Sequence, residues 1–431
     1  MEATEIRNKV CSMLIKTLEQ DTLSHIVLQD LYEDKSISDK DLAFIKRLYS
    51  GTLEKLVWID YVLDQFSKVP VRKMKPVIRS ILRMSVYQLH FMDSVPAYTC
   101  INEAVKLTRK RGFHNLTGFV NGVLRHVDRQ AHQLDFPEHV KACAPKWIYD
   151  LVTKQYGKPA ADAFFQAIQN SPSETRIRIC ESPENRTKKI LETLTQDGCT
   201  VQALLPEYGA YAISGFQRLS SLTAFQNGDI IIQDPSSILA AQAALIDNPV
   251  PDLVLDVCAA PGGKSLYIAQ HSPSSKIIAR DLTEYKAKKI RENIRRLHIS
   301  NIEVQVCDAR QEDPAMNEKA DVVIADLPCS GLGVIARKPD ILHRLKPEDL
   351  TSLAALQQQI LNTVQAYVKK GGILVYSTCT INHEENQENT RWFLQHHPYE
   401  LLQEQQYLPG RDPYDGFYIA RFRRIDVNKR G

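Results

Sequence analysis

The chain has 431 residues, 24% charged and 43% hydrophobic, with a formal net charge of +3. At roughly 100–200 residues per domain it holds two or three domains with real cores, and so small a net charge excludes a polybasic binder acting through its whole surface. Nine cysteines without one C-x-x-C pair argue against a zinc site and a disulfide framework, and Met1–Leu14 is charged and interrupted rather than apolar. A reducing, cytoplasmic setting without a bound metal is expected.

Residues 1–142 read as an all-helical domain. Apolar residues recur at three and four, as in Val77, Ile78, Ile81, Leu82, Val86 and Leu89. Charge is uneven here: no acid occurs between Asp64 and Asp93, while Lys68, Arg72, Lys73, Lys75, Arg79 and Arg83 are basic, and Lys106, Arg109, Lys110 and Arg111 follow. A solvated helical face and a phosphate-binding surface explain these clusters equally well. Residues 143–170 form a helical connector, one helix running from Ala144-Pro145-Lys146-Trp147 to about Gln169. Asn170-Ser171-Pro172-Ser173 reads as a linker.

Residues 171–250 are a small α/β subdomain: an alternating strand at Thr175–Ile179, a helix from about Glu184 to Gln196, then short strands to Ile232. In Gln233-Asp234-Pro235-Ser236-Ser237, Asp234 is suited to cap a helix with Pro235 at its first position. Residues 251–431 alternate strand and helix. Strands are expected at Asp252–Val257, Lys276–Arg280, Ile302–Cys307, Asp321–Ala325 and Gly372–Ser377, with helices at Thr283–Leu297 and Pro347–Val368. Short apolar strands in this alternation predict a doubly wound parallel sheet.

Leu253–Ser265, L-V-L-D-V-C-A-A-P-G-G-K-S, is a strand, a glycine turn and a helix start, the arrangement that receives a nucleotide-like cofactor. The dinucleotide fingerprint G-x-G-x-x-G is absent, and Cys258 stands where a P-loop needs its first glycine. An S-adenosylmethionine-type turn remains. Asp256, Asp281, Asp308, Asp326 and Cys379 each fall at or just past the carboxyl end of a strand, so the sheet would gather them at one crevice. Singly, each aspartate is more readily a cap or turn residue. Asp281, eighteen residues beyond Gly263, can accept both hydroxyls of a ribose, and Asp308 can hydrogen-bond the adenine or flank the cofactor. Asp326 opens the small-residue turn Asp326–Gly333, which would admit a flat substrate.

Cys258 and Cys307 suit a buried, hydrophobe-like role, whereas Cys329 and Cys379 should sit at the crevice mouth. Methylating carbon 5 of a pyrimidine needs such a thiol, because that carbon becomes nucleophilic only after a thiolate adds to carbon 6. An acid at ring N3 helps the addition, and a base must later remove the carbon 5 proton. The residues alone leave open which cysteine attacks.

Two resemblances bear on these alternatives. Within Lys46–Arg129, the phrases L-Y-S-G-T-L, P-V-I-R-S-I-L-R-M-S-V-Y-Q-L, V-P-A-Y, I-N-E-A-V-K-L and V-N-G-V-L-R resemble the NusB-like RNA-binding domain, which occurs alone and fused to ribosomal RNA methyltransferases. C-A-A-P-G-G-K, D-L-P-C-S-G-L-G and S-T-C-T-I-N-H-E-E-N together resemble the RNA cytosine-5 methyltransferase family, and with the helical domain in front the chain is similar to its branch that modifies 16S ribosomal RNA. Leu327 and Leu332 depart mildly from the Ala and Thr of many relatives. The resemblance implies a Rossmann-like methyltransferase domain preceded by an all-α NusB-like domain and a small α/β subdomain. It makes Cys379 the nucleophile, Cys329 the aid to product release and Asp326 the N3 partner. It places S-adenosylmethionine against Cys258, Ala259, Ala260, Pro261, Gly262, Gly263, Lys264, Asp281, Asp308 and Asp326. The partner implied is 16S ribosomal RNA, naked or in an early particle, bound by a monomer. Arg337 and Lys338 are candidate RNA contacts, though a solvated loop accounts for them nearly as well. Transfer RNA as substrate, a non-catalytic assembly factor and DNA methylation are the competing readings.

Overall fold

Three-and-four apolar spacing winds the amino-terminal part into helices that include Ala3–Glu19, Asp39–Glu54, Leu56–Phe66, Pro76–Phe91, Ala97–Lys110 and Thr117–Gln130. Their inner faces supply a core with Leu14, Ile45, Leu48, Ile59, Ile81, Leu82, Leu107 and Leu124 fully buried, each contributing about 1.5–3 kcal/mol by leaving water. In this computed structural model residues 1–171, 174–180 and 184–426 are described; Pro172 and Ser173 of the expected linker lie outside them. The chain divides into two units, Met1–Ser171 with Ile335–Leu345, and Pro172–Val334 with Lys346–Gly431.

The connector differs from expectation. Instead of one helix to Gln169 there are two, Lys146–Tyr156 and Lys158–Gln169, broken at Gly157, whose φ of 79° lies in the left-handed region. Only glycine enters that region without a steric cost, and Pro159 then serves the first turn of the next helix. The expected unbroken run 251–431 is also interrupted. Ile335–Leu345 groups with the helical unit, where the carboxylate of Asp340, 2% exposed, accepts hydrogen bonds from the backbone N–H and the hydroxyl of Ser24. His343 Nε2 donates to the carbonyl of Leu53 at 2.8 Å.

The basic clusters separate into two kinds. Arg79 pairs with Glu19, and Arg83 grips Asp60 with two bonds of 2.8 and 2.7 Å. Lys106 and Lys110 pair with Glu103 and Glu5, and Arg111 donates to Ser12 and to the carbonyl of Asn8. Lys68, Arg72, Lys73, Lys75 and Arg109 are exposed.

In the second unit, β1 (Thr175–Ile179), β2 (Thr200–Leu205), β3 (Ala210–Ser214) and β4 (Ile230–Ile232) form an antiparallel sheet in the order β2-β3-β1-β4. Arg178 on β1, buried beside Tyr267, donates to Gln233 at 2.8 Å and Gln270 at 2.6 Å. The larger sheet holds β5 (Leu253–Asp256), β6 (Lys276–Asp281), β7 (Ile302–Val306), β8 (Ala320–Asp326), β9 (Val368–Thr378), β10 (Tyr399–Tyr407) and β11 (Phe417–Arg424), in the order β10-β11-β9-β8-β5-β6-β7. β9-β8-β5-β6-β7 are parallel, and β11 and β10 add an antiparallel edge. Helices cover both faces: Val254, Ile277 and Val322 pack with Ile238, Tyr267 and Ile268, while Leu255, Val323 and Leu374 pack with Ile360, Leu361 and Val364. Burial on both faces is why the central strands β5, β6 and β8 read as short apolar runs. The helix from Pro347 ends at Val364, short of the expected Val368, and β-branched Val368 already opens β9. Among the described residues no helix is long and apolar enough to cross a membrane.

Candidate active site

Parallel pairing brings the carboxyl ends of β8, β5 and β6 side by side, and the expected acids stand there. Asp256, Asp281 and Asp326 are the last residues of β5, β6 and β8, Asp308 lies two residues past β7, and Cys379 directly follows β9. Cys258–Lys264 makes the turn after β5. Its N–H groups need acceptors, and Ala260 donates to Asp281 at 3.0 Å. Gly262 has φ 104°, a conformation open to glycine and costly to other residues, and it caps the helix Gly263–His271.

The acids have different surroundings. Asp281 also accepts from the N–H of Leu282 at 2.7 Å and pairs with Lys286 at 3.0 Å. Asp308 is held by the Arg310 guanidinium, which lowers its pKa. Asp256 is 1% exposed: Ser265 donates to one oxygen at 2.6 Å, while the other is buried without a partner. Burial, seconded by the charges of Asp326 and Asp281, pushes its pKa up to about 7. Burial also raises the Cys258 thiol well above its ordinary range, in keeping with an inert packing role for its sulfur.

Buried Lys264 and half-buried Asp326 form an ion pair. The Lys264 ammonium lies 2.6 Å from Asp326 Oδ2, donates to Ser237 Oγ at 3.1 Å and rests over the Phe417 ring. Ser377 Oγ donates to Asp326 Oδ1 at 2.7 Å. Lys264 belongs to the turn expected to receive the cofactor, and its charged end is spent on Asp326. The two thiols meet: Cys329 Sγ and Cys379 Sγ are 3.2 Å apart. The Cys379 contact, burial and the charge of Glu385 hold the Cys329 thiol well above the ordinary range. The candidates Arg337 and Lys338 fall instead in the segment grouped with the helical unit, Lys338 exposed and Arg337 half-buried.

Sequence reasoning passed over the residues that brace this site. Ser377, Ser330, Thr380 and Glu385 stand inside the quoted phrases, but their partners depend on which strands adjoin. Ser237, in the phrase noted for its helix cap, faces Lys264. Asp234 does cap that helix, its side chain accepting from the N–H of Ser236 at 2.9 Å, and it also pairs with Arg176.

The turn and its acids fit S-adenosylmethionine. The glycine turn lets a ligand approach the backbone, an acid ends the next strand, and Asp256 keeps one buried oxygen free for a donor. A Rossmann-like sheet with these groups at its carboxyl edge suits an S-adenosylmethionine-dependent methyltransferase, the class to which the family matches assign the chain. Residues 243–423 match the family 16S rRNA methyltransferase RsmB/F, and residues 4–129 match the NusB family. The chain is 34% identical over 411 residues to the probable ribosomal RNA small subunit methyltransferase B of Bacillus subtilis, covering 92% of this chain and 90% of that one. Identity to the ribosomal RNA small subunit methyltransferase B of Yersinia pestis is 30% over 430 residues, covering 96% and 98%. The crystal structure of PH0851 shares the fold, with a TM-score of 0.82 and 24% identity over 98% of this chain and 99% of that one. The chain belongs to the ribosomal RNA small subunit methyltransferase B family, with S-adenosylmethionine as its cofactor.

Proposed function

We propose that the protein methylates carbon 5 of a cytosine in 16S ribosomal RNA through a covalent adduct between Cys379 and carbon 6 of the base. The reading rests chiefly on one observation: two thiols 3.2 Å apart at the ends of neighbouring strands, beside the Lys264–Asp326 pair. One thiol suffices for attack. The second gives the same site a base for the later proton removal.

Cys379, as thiolate, adds to carbon 6 while the Asp326–Lys264 pair meets the ring at N3 and supplies the hydrogen bond that stabilises the adduct. S-adenosylmethionine, held by Cys258–Lys264, Asp281, Asp308 and Asp326, supplies the electrophilic methyl group that the enamine carbon takes. Cys329 then removes the carbon 5 proton, the ring double bond re-forms, and Cys379 leaves. Two thiols this close resist ionising together, so whichever ionises first keeps the other protonated. Once Cys379 is a thioether, the largest influence raising the Cys329 pKa is gone, and Cys329 becomes more acidic when a base is needed.

The cytosine must leave its stack to reach this crevice, so naked RNA or an early particle is the expected substrate. We assign recognition to the exposed cations of the helical unit, with the protein acting as a cytoplasmic monomer. The test is transfer of labelled methyl from S-adenosylmethionine to unmodified 16S RNA, followed by denaturing gels. Wild type should label cytosine C5, Cys379→Ala should not, and Cys329→Ala should trap a protein–RNA adduct. Binding without transfer to any ribosomal or transfer RNA would overturn the enzyme reading.

A further inference from the structure

Glu385 is a buried carboxylate, 0% exposed, in the wide helical turn Glu384–Glu388 after Cys379. Burying a carboxylate away from water is costly unless donors surround it, and here they do. Ser330 gives its N–H at 2.8 Å and its hydroxyl at 2.5 Å, Gln357 an amide N–H at 3.1 Å, and Asn382 another at 3.3 Å. The donors concern the two cysteine turns. Ser330 follows Cys329, and its hydroxyl also meets that of Thr380, which follows Cys379, at 2.7 Å. Gln357 reaches back to the carbonyl of Pro328, which precedes Cys329, at 2.9 Å. Asn386, next to Glu385, accepts from Thr378 at 2.6 Å and donates to the Thr380 carbonyl at 3.0 Å, so it holds both neighbours of Cys379. Each flank of each thiol is thus fastened to one buried network, and Glu385 is its charged centre.

We propose that Glu385 is a positioning residue that latches the Cys329 turn against the Cys379 turn and so fixes the thiol–thiol geometry on which product release depends. The kinetic consequence rests on the adduct chemistry above; the latch itself does not. A hydrophobic core would close the two turns together equally well, but it would not index Ser330 against Thr380. The carboxylate also puts a negative charge close to Cys329, which favours its protonated thiol.

The test uses the full-length protein and two readouts. Phenylarsine oxide condenses with two adjacent thiols, forming two As–S bonds with loss of one water, and needs no RNA. Wild type should capture it; Cys329→Ala and Cys379→Ala should not. Glu385→Gln, isosteric but uncharged, should capture about 10-fold more weakly, the scale of one lost hydrogen bond, and Glu385→Asp should recover part of the loss. In single-turnover methylation, Glu385→Gln should form the RNA adduct near the wild-type rate yet release it about 100-fold more slowly, the scale of a small misplacement. Its release should also move to lower pH, because removing the nearby charge makes Cys329 more acidic. Ser330→Ala should reproduce the slow release without removing the carboxylate. Wild-type capture and wild-type release in Glu385→Gln would overturn the latch, as would equal losses of adduct formation and release with an unmoved pH profile. Weakened capture in Glu385→Gln, with no adduct from wild type, would sink the methylation reading and leave the latch standing.

Discussion

Replacing Asp256 by Asn should stabilise the cofactor-free protein above pH 7 and flatten its pH dependence. Asp256 is 1% exposed, with one oxygen bonded to Ser265 and the other unpartnered, and burial lifts its pKa from 3.8 to about 7. An acid whose pKa is raised by folding binds protons more tightly in the folded state, so folding stability declines as pH rises from about 4 to about 7 and is constant on either side. At 1.36 kcal/mol for each unit the decline is about 4 kcal/mol. Asparagine has no charge to bury, but its amide hydrogens would occupy the unpartnered position, at a cost of about 1–3 kcal/mol. The net gain above pH 7 is then roughly 1–3 kcal/mol. Thermal unfolding between pH 4 and 8, without S-adenosylmethionine, should show the wild-type midpoint falling relative to that of Asp256→Asn as pH rises. Parallel curves would refute the argument, because they would mean that Asp256 is as well solvated folded as unfolded. Cofactor affinity should move the opposite way, weakening in the variant that loses the free carboxylate oxygen.

Three further outcomes follow from the structure. Changing Lys68, Arg72, Lys73 and Lys75 together to Gln should weaken RNA binding and flatten its salt dependence by about 0.7–0.9 log unit for each phosphate no longer neutralised; Arg83→Gln, which strips Asp60 of its bidentate partner, should instead lower the unfolding midpoint and leave the salt slope unchanged. Gly333→Ala should cost about 3 kcal/mol or more in chemical denaturation, because the added carbon would stand 1.9 Å from the Gly416 carbonyl oxygen and 2.8 Å from that of Cys379, and backbone on both sides cannot yield. A stability within experimental error of wild type would refute that reading.

The centre of the sheet was legible because β5, β6, β8 and β9 are buried and write themselves as apolar runs, and because Asp256, Asp281 and Asp326 mark where three of the runs stop; the polar edge strand β10 carries no such signal. The thiol pair was legible only as two cysteines at two strand ends. Their 3.2 Å approach requires β8 beside β9, an adjacency that no local spacing encodes. Lys264 shows the same limit: in the chain it belongs to a turn, and only the fold sets its ammonium on Asp326, 62 residues away. The connector was misread because its apolar positions keep helical spacing on both sides of Gly157, while the break lies in one backbone angle. The basic clusters looked uniform because charge pairing is a long-range matter. Arg79 finds Glu19 and Arg83 finds Asp60 across the bundle, and neither pairing is written in the spacing of the cations themselves.

The excursion Ile335–Leu345 governs how this protein can be taken apart. The chain passes between its two units after Ser171, after Val334 and after Leu345, so no single cut separates them. A fragment starting at Pro172 would carry eleven residues shaped for an absent bundle, with Ile335 and Leu342 stripped of cover and Asp340 stripped of Ser24. A fragment ending at Ser171 would lack the piece that satisfies Ser24 and the Leu53 carbonyl. Anyone wishing to express either half of this chain alone must therefore graft or excise this loop.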